Sequence, residues 1–259
     1  MNETQVKAYL ARCGATRPAR ADAESLRQLQ LWHLMAVPFE NLSIHLGEPI
    51  VLDEQALFDK LVERRRGGFC YELNGLFAAL LSALGFSVTM LAARVFGADG
   101  LGPPFDHMVL RVDTPDPWLA DVGFGRHASY PLRMDVRGEQ ADPGGVFRVA
   151  ENGDGDLELF RDGEPQYRLE LRPRALGDFE ATCWWQQTSP KSHFTQSLVC
   201  SLLTEAGRVT LSDRTLIETS GSDRRERLLT SDAEVLAAYR SHFGITLDRV
   251  PTLRPPVRP

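Results

Sequence analysis

The chain has 259 residues, of which 43% are hydrophobic and 25% are charged. This composition lies far from the low-hydrophobicity, high-charge regime of disordered chains, and it permits roughly one to three subdomains that share a large core. The net charge of −6 and the pI of about 5.6 argue against a protein that coats nucleic acid or an anionic membrane through counterion release. We therefore expect a globular protein with no nucleic-acid partner.

The four cysteines are scattered and form no C-x-x-C pair, so the sequence predicts no disulfide scaffold. The first residues, MNETQVKAYLARCG, lack the apolar segment and cleavage site of a secretory signal, which makes the cytoplasm the expected compartment. The uncharged run from Leu73 to Ala93 is long enough to cross a bilayer, but its periodicity changes at Gly85 from helical to alternating. A buried helix followed by a strand explains this run better than a membrane span.

Three helices are predicted in the first 85 residues. The first carries an apolar stripe at helical spacing and ends before Pro38. The second begins at Asp53, a plausible N-cap, and ends at a pair of glycines. The third follows immediately, over about 69–84, and a glycine closes it. The segment 1–85 is therefore predicted to form a helical bundle.

After residue 85 the pattern changes to short β-like runs separated by Gly, Pro, Asn and Asp. Asp162-Gly163 is a favourable hairpin turn. This spacing predicts a mostly antiparallel barrel or sandwich over 86–186. The predicted strands are 87–96, 105–112, 118–124, 146–150, 157–161 and 166–171.

The segment 187–259 mixes strands with a helix. Two β-like runs near 207–219 precede a helix that starts with a capping box formed by Ser231 and Glu234 and stops at Gly244. The whole chain is therefore predicted to be α+β.

The stretch RGGFCYELN, residues 66–74, places the thiol of Cys70 in the first turn of the third predicted helix. The N-terminal end of a helix favours negative charge, and a cysteine there, especially beside an imidazolium, can have a pKa of about 3.5–7.5 instead of about 8.5. A small buried cysteine without chemistry is an equally good interpretation of the position alone.

A base and a carboxylate lie on two neighbouring predicted strands. His107 is in the alternating run FDHMVLRV and Asp121 is in WLADVGFG. A clean four-residue loop at 114–117 would put Asp113 opposite Trp118 and turn the two side chains to opposite faces of the sheet. We therefore predict an odd-length loop or a bulge, which lets both side chains meet the thiol.

Five motifs in this order resemble those of the arylamine N-acetyltransferases: PFENLSIH, RGGFCYELN, DHMVL, DVGFG and SPKSHF. They extend from about Pro38 to Phe194, and the rest of the chain carries no comparable signature. The resemblance implies a helical bundle with the nucleophile at 1–85, a central antiparallel β-barrel with the histidine and the aspartate at 86–186, and a C-terminal α/β lid at 187–259.

The resemblance also implies a triad similar to that of papain-like and transglutaminase enzymes, with Cys70 as nucleophile, His107 as base and Asp121 as the residue that orients the base. The implied reaction is acetyl transfer from acetyl-CoA to an arylamine or arylhydrazine, in ping-pong fashion through an acetyl-cysteine thioester. Detoxification is one role that this reaction serves. A homodimer is left open as a possible assembly.

Glu40, in PFEN, and Arg66, before the two glycines, correspond by resemblance to a structural ion pair beneath the nucleophile. The alternative is that the two charges are solvated independently. If the pair is buried, the loss of Arg66 leaves Glu40 uncompensated, so we expect folding to suffer before chemistry.

Further residues are assigned to the two substrates by resemblance. Plain core packing is an equally good interpretation of each aromatic, and a surface position is a good interpretation of the lysine. The chain has no Gly-x-Gly-x-x-Gly fingerprint or Walker loop, so the CoA assignment depends on the resemblance alone. The candidates are Phe124, Val95, Phe194 and Phe39 for the acceptor pocket, with Phe124 the strongest, and Lys191 and Gly102 for CoA.

Other functions remain open at this point. The same triad would serve an amide synthase, a thiol hydrolase or a transglutaminase-like enzyme, and an inert thiol would fit a non-enzymatic binding protein. The remaining histidines have no metal-ligand spacing, so no metal is expected. Trp184 and Trp185 are predicted to pack between the barrel and the lid.

Overall fold

The computed structural model describes residues 1–98 and 100–253. No helix within these residues is long and apolar enough to cross a membrane. The α-helices are α1 (Glu3–Arg12), α2 (Ala23–Ala36), α3 (Leu42–Leu46), α4 (Glu54–Phe58), α5 (Cys70–Ala83), α6 (Glu180–Thr188), α7 (His193–Gln196) and α8 (Asp232–Phe243). The strands are β1 (Phe39–Glu40), β2 (Ser87–Gly97), β3 (Gly100–Leu101), β4 (His107–Asp113), β5 (Pro117–Ala120), β6 (Leu132–Arg133), β7 (Gln140–Asp142), β8 (Gly145–Glu151), β9 (Leu157–Arg161), β10 (Glu164–Arg174), β11 (Val199–Thr204), β12 (Gly207–Ser212), β13 (Thr215–Ser220) and β14 (Asp223–Leu228).

The second predicted helix is interrupted. Its N-cap is confirmed, because the Asp53 side chain accepts hydrogen bonds from the backbone N–H groups of Gln55 and Ala56. The helix then changes at residue 59 into a π-helical turn, Asp59–Glu63, so the prediction of one regular helix is wrong. This turn contains Lys60, whose ammonium group is buried against α5.

Helix α5 is the central helix of the N-terminal part, and 11 of its 14 residues are buried. A helix that is apolar on nearly all sides is expected inside a protein, which accounts for the uncharged run in the sequence. Leu73, Leu76 and Phe77 share one core cluster with Leu110 of β4 and Ala120 of β5. Helix α5, which begins with Cys70, is therefore packed directly against β4, which begins with His107, and β5, which Asp121 follows.

The central sheet is antiparallel, with the strand order β6-β5-β4-β2-β10-β9-β8-β7, and β3 pairs with β2. At its two ends the side-chain amide of Gln140 donates to Arg133 O at 3.0 Å and accepts from Arg133 N–H at 2.7 Å, which bridges β7 to β6. The predicted barrel is confirmed as a nearly closed sheet. The predicted hairpin is confirmed as well, since Asp162 and Gly163 both have positive φ.

A second sheet has the order β1-β11-β12-β13-β14. The sequence missed β14, because all six of its residues are exposed and DRRERL shows no alternation. It also missed β11, which pairs with β1 from the helical part. The predicted boundary at 186/187 falls inside α6, and the division into three parts stays a prediction.

The C-terminal helix α8 begins and ends where the sequence indicates. Ser231 accepts from Glu234 N–H, Glu234 accepts from Ser231 N–H, and Gly244 takes the left-handed conformation after the last turn. In α6, however, Trp184 is 66% exposed, so the prediction that it packs between barrel and lid is wrong.

Candidate active site

Cys70 is the first residue of α5 and is 3% exposed. Both glycines of the RGGFC segment lie at close approaches, Gly67 to a backbone oxygen and Gly68 to the side chain of Glu72. A Cβ on Gly67 would lie 2.0 Å from Pro38 O, and a Cβ on Gly68 would lie 2.7 Å from Glu72 Oε2. The Glu72 carboxylate also accepts a hydrogen bond from Phe69 N–H at 3.2 Å, which fixes the start of the helix.

His107 is the first residue of β4, and Asp121 directly follows β5, the neighbouring strand of the barrel sheet. The β4–β5 loop has three residues, 114–116, because Asp113 pairs with Pro117. The sequence predicted an odd length. His107 Nε2 lies 2.8 Å from Asp121 Oδ2. The prediction of an odd-length loop is therefore confirmed.

The carboxylate of Asp121 is fully buried and accepts several hydrogen bonds. Oδ1 accepts from Asn74 Nδ2 at 2.9 Å and from Gly123 N–H at 2.8 Å, while Oδ2 also accepts from the Tyr167 hydroxyl at 3.3 Å. Burial acts to raise the pKa of Asp121, but the charge and hydrogen bond of His107 outweigh it and lower this pKa to about 2. Asp121 is therefore ionised at neutral pH.

Cys70 and His107 line one cavity of about 620 Å³. The segment that follows Asp121 passes close to the nucleophile, since a Cβ on Gly123 would lie 2.6 Å from Cys70 Cα. This approach brings the loop after β5 and the start of α5 into backbone contact. Cys70 and His107 thus share one cavity, and Asp121 is bonded to His107 outside its lining.

The thiol environment differs from the sequence expectation. Burial raises the pKa of Cys70 well above its ordinary value, the amide of Met108 lowers it, and Asp106, Cys183 and Asp121 raise it further. The apolar side chains that enclose this N-terminus therefore act against the lowering of the pKa that a helix N-terminus favours.

All six residues that the sequence assigned to the substrates line this same cavity: Phe39, Val95, Gly102, Phe124, Lys191 and Phe194. The ring of Phe124 lies 5.1 Å from the ring of His107, centroid to centroid. The ring of Phe194 lies 6.2 Å from that of Phe39. The wall beside the imidazole is therefore aromatic, as suits a flat apolar substrate.

A family model described as N-acetyltransferase matches residues 22–251. The arylamine N-acetyltransferase of Mycolicibacterium smegmatis is 36% identical, with 92% of this chain and 91% of the relative covered. The chain belongs to the arylamine N-acetyltransferase family. The predicted class of enzyme, an acyltransferase acting on amines, is thereby confirmed, and the interpretation as a non-enzymatic binding protein is wrong.

Solved arylamine N-acetyltransferases have the same fold. The enzyme from Salmonella typhimurium superposes with a TM-score of 0.87 at 32% identity and covers 95% of this chain and 92% of its own. The enzyme from Mycobacterium marinum, solved in complex with CoA, superposes with a TM-score of 0.85 at 34% identity and covers 93% and 92%.

The two residues predicted to form an ion pair are in contact. Arg66 Nη2 lies 2.9 Å from Glu40 Oε1, and both side chains are buried. Burial acts to raise the pKa of Glu40, but the charges of Arg66 and Lys60 hold it below its ordinary value. Glu40 also accepts from Leu42 N–H at 2.6 Å, so its carboxylate joins Arg66 to the backbone that follows β1.

A second buried ion pair was not predicted. Lys60 Nζ lies 2.6 Å from Glu72 Oε1, where it neutralises the carboxylate that holds the start of α5. Sequence reasoning also missed Asn74 and Tyr167, the other side-chain donors to Asp121. Asn74 lies in the RGGFCYELN motif, and its position one helical turn after Cys70 is a signal for a role at the site. The sequence around Tyr167, in contrast, is typical of an ordinary strand.

The carboxylate of Asp106 occupies the space that a side chain at position 102 would need. A Cβ on Gly102 would lie 2.1 Å from Asp106 Oδ2. Asp106 itself accepts from Gln186 Nε2 at 2.6 Å, and this bond joins α6 to the rim of the cavity. Within residues 1–98 and 100–253, no group of three or more His, Cys, Asp or Glu side chains is arranged to hold a metal ion.

Proposed function

We propose that this chain transfers the acetyl group of acetyl-CoA to the amino group of an arylamine or arylhydrazine, with Cys70 carrying the acetyl group between the two substrates. One observation carries the proposal: Cys70 and His107 line the same cavity, and Asp121 bonds His107 at 2.8 Å. The M. marinum relative, which was solved with CoA, supports CoA as the donor.

In the first half-reaction, the sulfur of Cys70 attacks the carbonyl carbon of acetyl-CoA. Its proton passes to His107 as the C–S bond forms, since the buried thiol retains its proton until a base removes it. Asp121 stabilises the resulting imidazolium. When the tetrahedral species collapses, the CoA sulfur leaves with the proton from His107, and an acetyl thioester stays on Cys70.

In the second half-reaction, the nitrogen of the amine attacks the thioester carbonyl and His107 accepts one of its protons. Collapse expels the sulfur of Cys70, which recovers that proton, and the N-acetyl product leaves. Phe124 and Phe194 supply flat apolar surface for the aromatic ring of the acceptor. The same surface displaces water, which would otherwise hydrolyse the thioester.

The CoA moiety is proposed to enter past Gly102 and Lys191, which line the same cavity as Cys70. Lys191 is exposed, so its ammonium group is free to meet a phosphate in solution. The proposal includes a cytoplasmic location, assembly as a homodimer, and a division of the chain at residues 85/86 and 186/187.

Intact-protein mass spectrometry tests the proposal. After exposure to acetyl-CoA, the wild-type protein should gain the mass of one acetyl group, mapped to Cys70, and lose it when aniline or phenylhydrazine is added. Cys70→Ala should gain nothing, whereas Cys183→Ala, which alters another buried thiol of the same apolar cluster, should behave like the wild type. An adduct that disappears equally fast without amine would indicate a hydrolase instead.

A further inference from the structure

A second cavity, of about 530 Å³, lies behind the catalytic carboxylate. Its walls come from α2, from the segment 126–130, from the β7–β8 turn, from the β11–β12 hairpin, and from the end of β13 with the turn after it. Among the described residues it shares no lining residue with the reaction cavity. Its volume lies in the range of small-molecule sites. The proposed acetyl transfer makes no use of it.

Two arginines line this second cavity without an ion pair or hydrogen bond to a carboxylate in the described part of the chain, although the charge of Arg126 helps to lower the pKa of the exposed Asp162. The half-buried Arg208 donates to Ser201 Oγ at 3.1 Å, and no side-chain hydrogen bond or ion pair of Arg126 occurs among those residues. Burial and the neighbouring guanidinium groups of Arg126 and Arg161 lower the pKa of Arg208 to about 10. Because the bond to Ser201 is the one side-chain hydrogen bond of these two guanidinium groups among the described residues, most of their N–H donors are available to a ligand.

A buried histidine supplies a third polar group. His127 is 6% exposed and lines the second cavity, while its Nε2 lies 3.3 Å from the Tyr167 hydroxyl and 3.7 Å from Asp121 Oδ2. Its Nδ1 is buried and has no hydrogen-bond partner among the described residues. Such an atom is costly unless a ligand or water satisfies it.

The acids near this cavity are already engaged or exposed. Asp142 accepts from the backbone N–H groups of Ser129, Tyr130 and Gly144, and Asp162 bonds Arg161 at 3.3 Å. Glu205 lies exposed in the β11–β12 hairpin. The cavity therefore offers the donors of the exposed Arg126 and the half-buried Arg208, and part of its wall is apolar, from Leu31, Met35 and Leu203.

We propose that this second cavity binds a phosphomonoester with a small apolar body. The guanidinium forks of Arg126 and Arg208 match the geometry of phosphate oxygens, and the apolar wall covers the organic part. The bound molecule contacts His127, whose Nε2 lies 3.7 Å from Asp121 Oδ2, so one side chain separates this site from the catalytic carboxylate.

Isothermal titration with phenyl phosphate tests the affinity. The wild-type protein should bind one equivalent in the presence of saturating CoA, and benzyl alcohol, which has a similar body without the charge, should not bind. Arg126→Gln combined with Arg208→Gln should weaken binding by about tenfold or more. Arg172→Gln, which removes one exposed arginine elsewhere on the barrel, should bind like the wild type. Displacement by CoA, or equal binding to the double variant, would overturn the proposal.

A measurement on the unaltered protein locates the probe even if the double variant fails to fold. Of the five methionines, Met35 lines the second cavity and Met108 belongs to the cluster around Cys70. In protein with ¹³C-labelled methionine methyl groups, phenyl phosphate should shift the Met35 resonance, which Met35→Leu identifies, and leave that of Met108 in place. A shift of Met108 alone would contradict the second site.

Discussion

Among single residues, Asp121 shows how the site is held together, because its two oxygens have different partners. Oδ1 accepts from Asn74 and from the backbone of Gly123, whereas Oδ2 accepts from His107 and Tyr167. Rotation of the carboxylate would break bonds on both sides. Since Nε2 of His107 is bound to this carboxylate, Nδ1 is left as the nitrogen that can take a proton from Cys70.

Asp121→Asn should lower kcat/KM on the order of a thousandfold. The two donors at Oδ1 should keep the amide oxygen of the new side chain on their side, so that its NH₂ group faces His107 Nε2. His107 is then protonated on Nδ1, the nitrogen that has to act as the base, and this is the wrong tautomer for proton removal. Steady-state acetylation of aniline measures the loss.

Asp106→Asn is the matched control, because Asp106 also lines the reaction cavity but bonds Gln186 and the Val95 amide. This variant should lose far less activity than Asp121→Asn. Equal losses in the two variants would mean that a carboxylate near the thiol matters only through its charge.

Among the elements, the contact between α5 and the loop after β5 sets the geometry of the site. This contact exists because Gly123 has no side chain: a Cβ there would lie 2.6 Å from Cys70 Cα and 2.7 Å from Asn74 Nδ2. The backbone of a helix cannot yield to such an approach as the end of a flexible side chain can. The distance between nucleophile and base therefore depends on this glycine.

Gly123→Ala should separate α5 from the barrel, lower kcat strongly and cost about 1–3 kcal/mol of stability. Gly138→Ala is the control, since a Cβ at that position meets nothing within 4 Å. Acetylation kinetics and urea unfolding of both variants provide the comparison. If Gly123→Ala were as active as Gly138→Ala, the close approach would have no catalytic importance.

The ion pair beneath β1 leads to a prediction about stability. Arg66→Met leaves the carboxylate of Glu40 buried without its partner and should reduce the free energy of unfolding by about 3–5 kcal/mol. Glu40→Gln added to Arg66→Met removes the charge and should recover most of that loss. Urea unfolding measures both.

Arg111→Met serves as the control for this prediction, because it breaks a partly exposed ion pair with Asp113. Such pairs contribute about 0–1 kcal/mol, so its effect should be small. A loss as large as that of Arg66→Met would show that burial of the pair is not the cause.

The elements that the sequence predicted are those whose signals are local. Helix α8 has its capping box and terminal glycine, and α5 has an apolar run closed by Gly85. Strand β1 has two residues and depends on β11, which is about 160 residues away and gives it no local pattern. The same limit applies to the site: Cys70 lies in a recognisable motif, while Tyr167 reaches Asp121 only through the closure of the barrel.

For the whole molecule, buried histidines make the free energy of unfolding depend on pH. His33 lies in the helical core, where its Nδ1 is 2.7 Å from the Tyr9 hydroxyl, and burial together with the charge of Arg12 lowers its pKa to about 3. In the barrel, burial lowers the pKa of His127 to about 4, although Asp121 opposes the shift. In an unfolded chain both groups have a pKa near 6.5.

Between these folded and unfolded values, the unfolded chain binds a proton that the native protein does not bind at His33, so stability rises with pH. The contribution of His33 is fully present above about pH 6.5 and is lost as the pH falls toward 3. From about pH 4.5 to 6, the free energy of unfolding should therefore rise more steeply for the wild type than for His33→Gln, by about 1.4 kcal/mol per pH unit. Urea unfolding at a series of pH values measures both slopes. The exposed His193→Gln should keep the wild-type slope, and parallel lines for His33→Gln and the wild type would contradict a neutral buried His33.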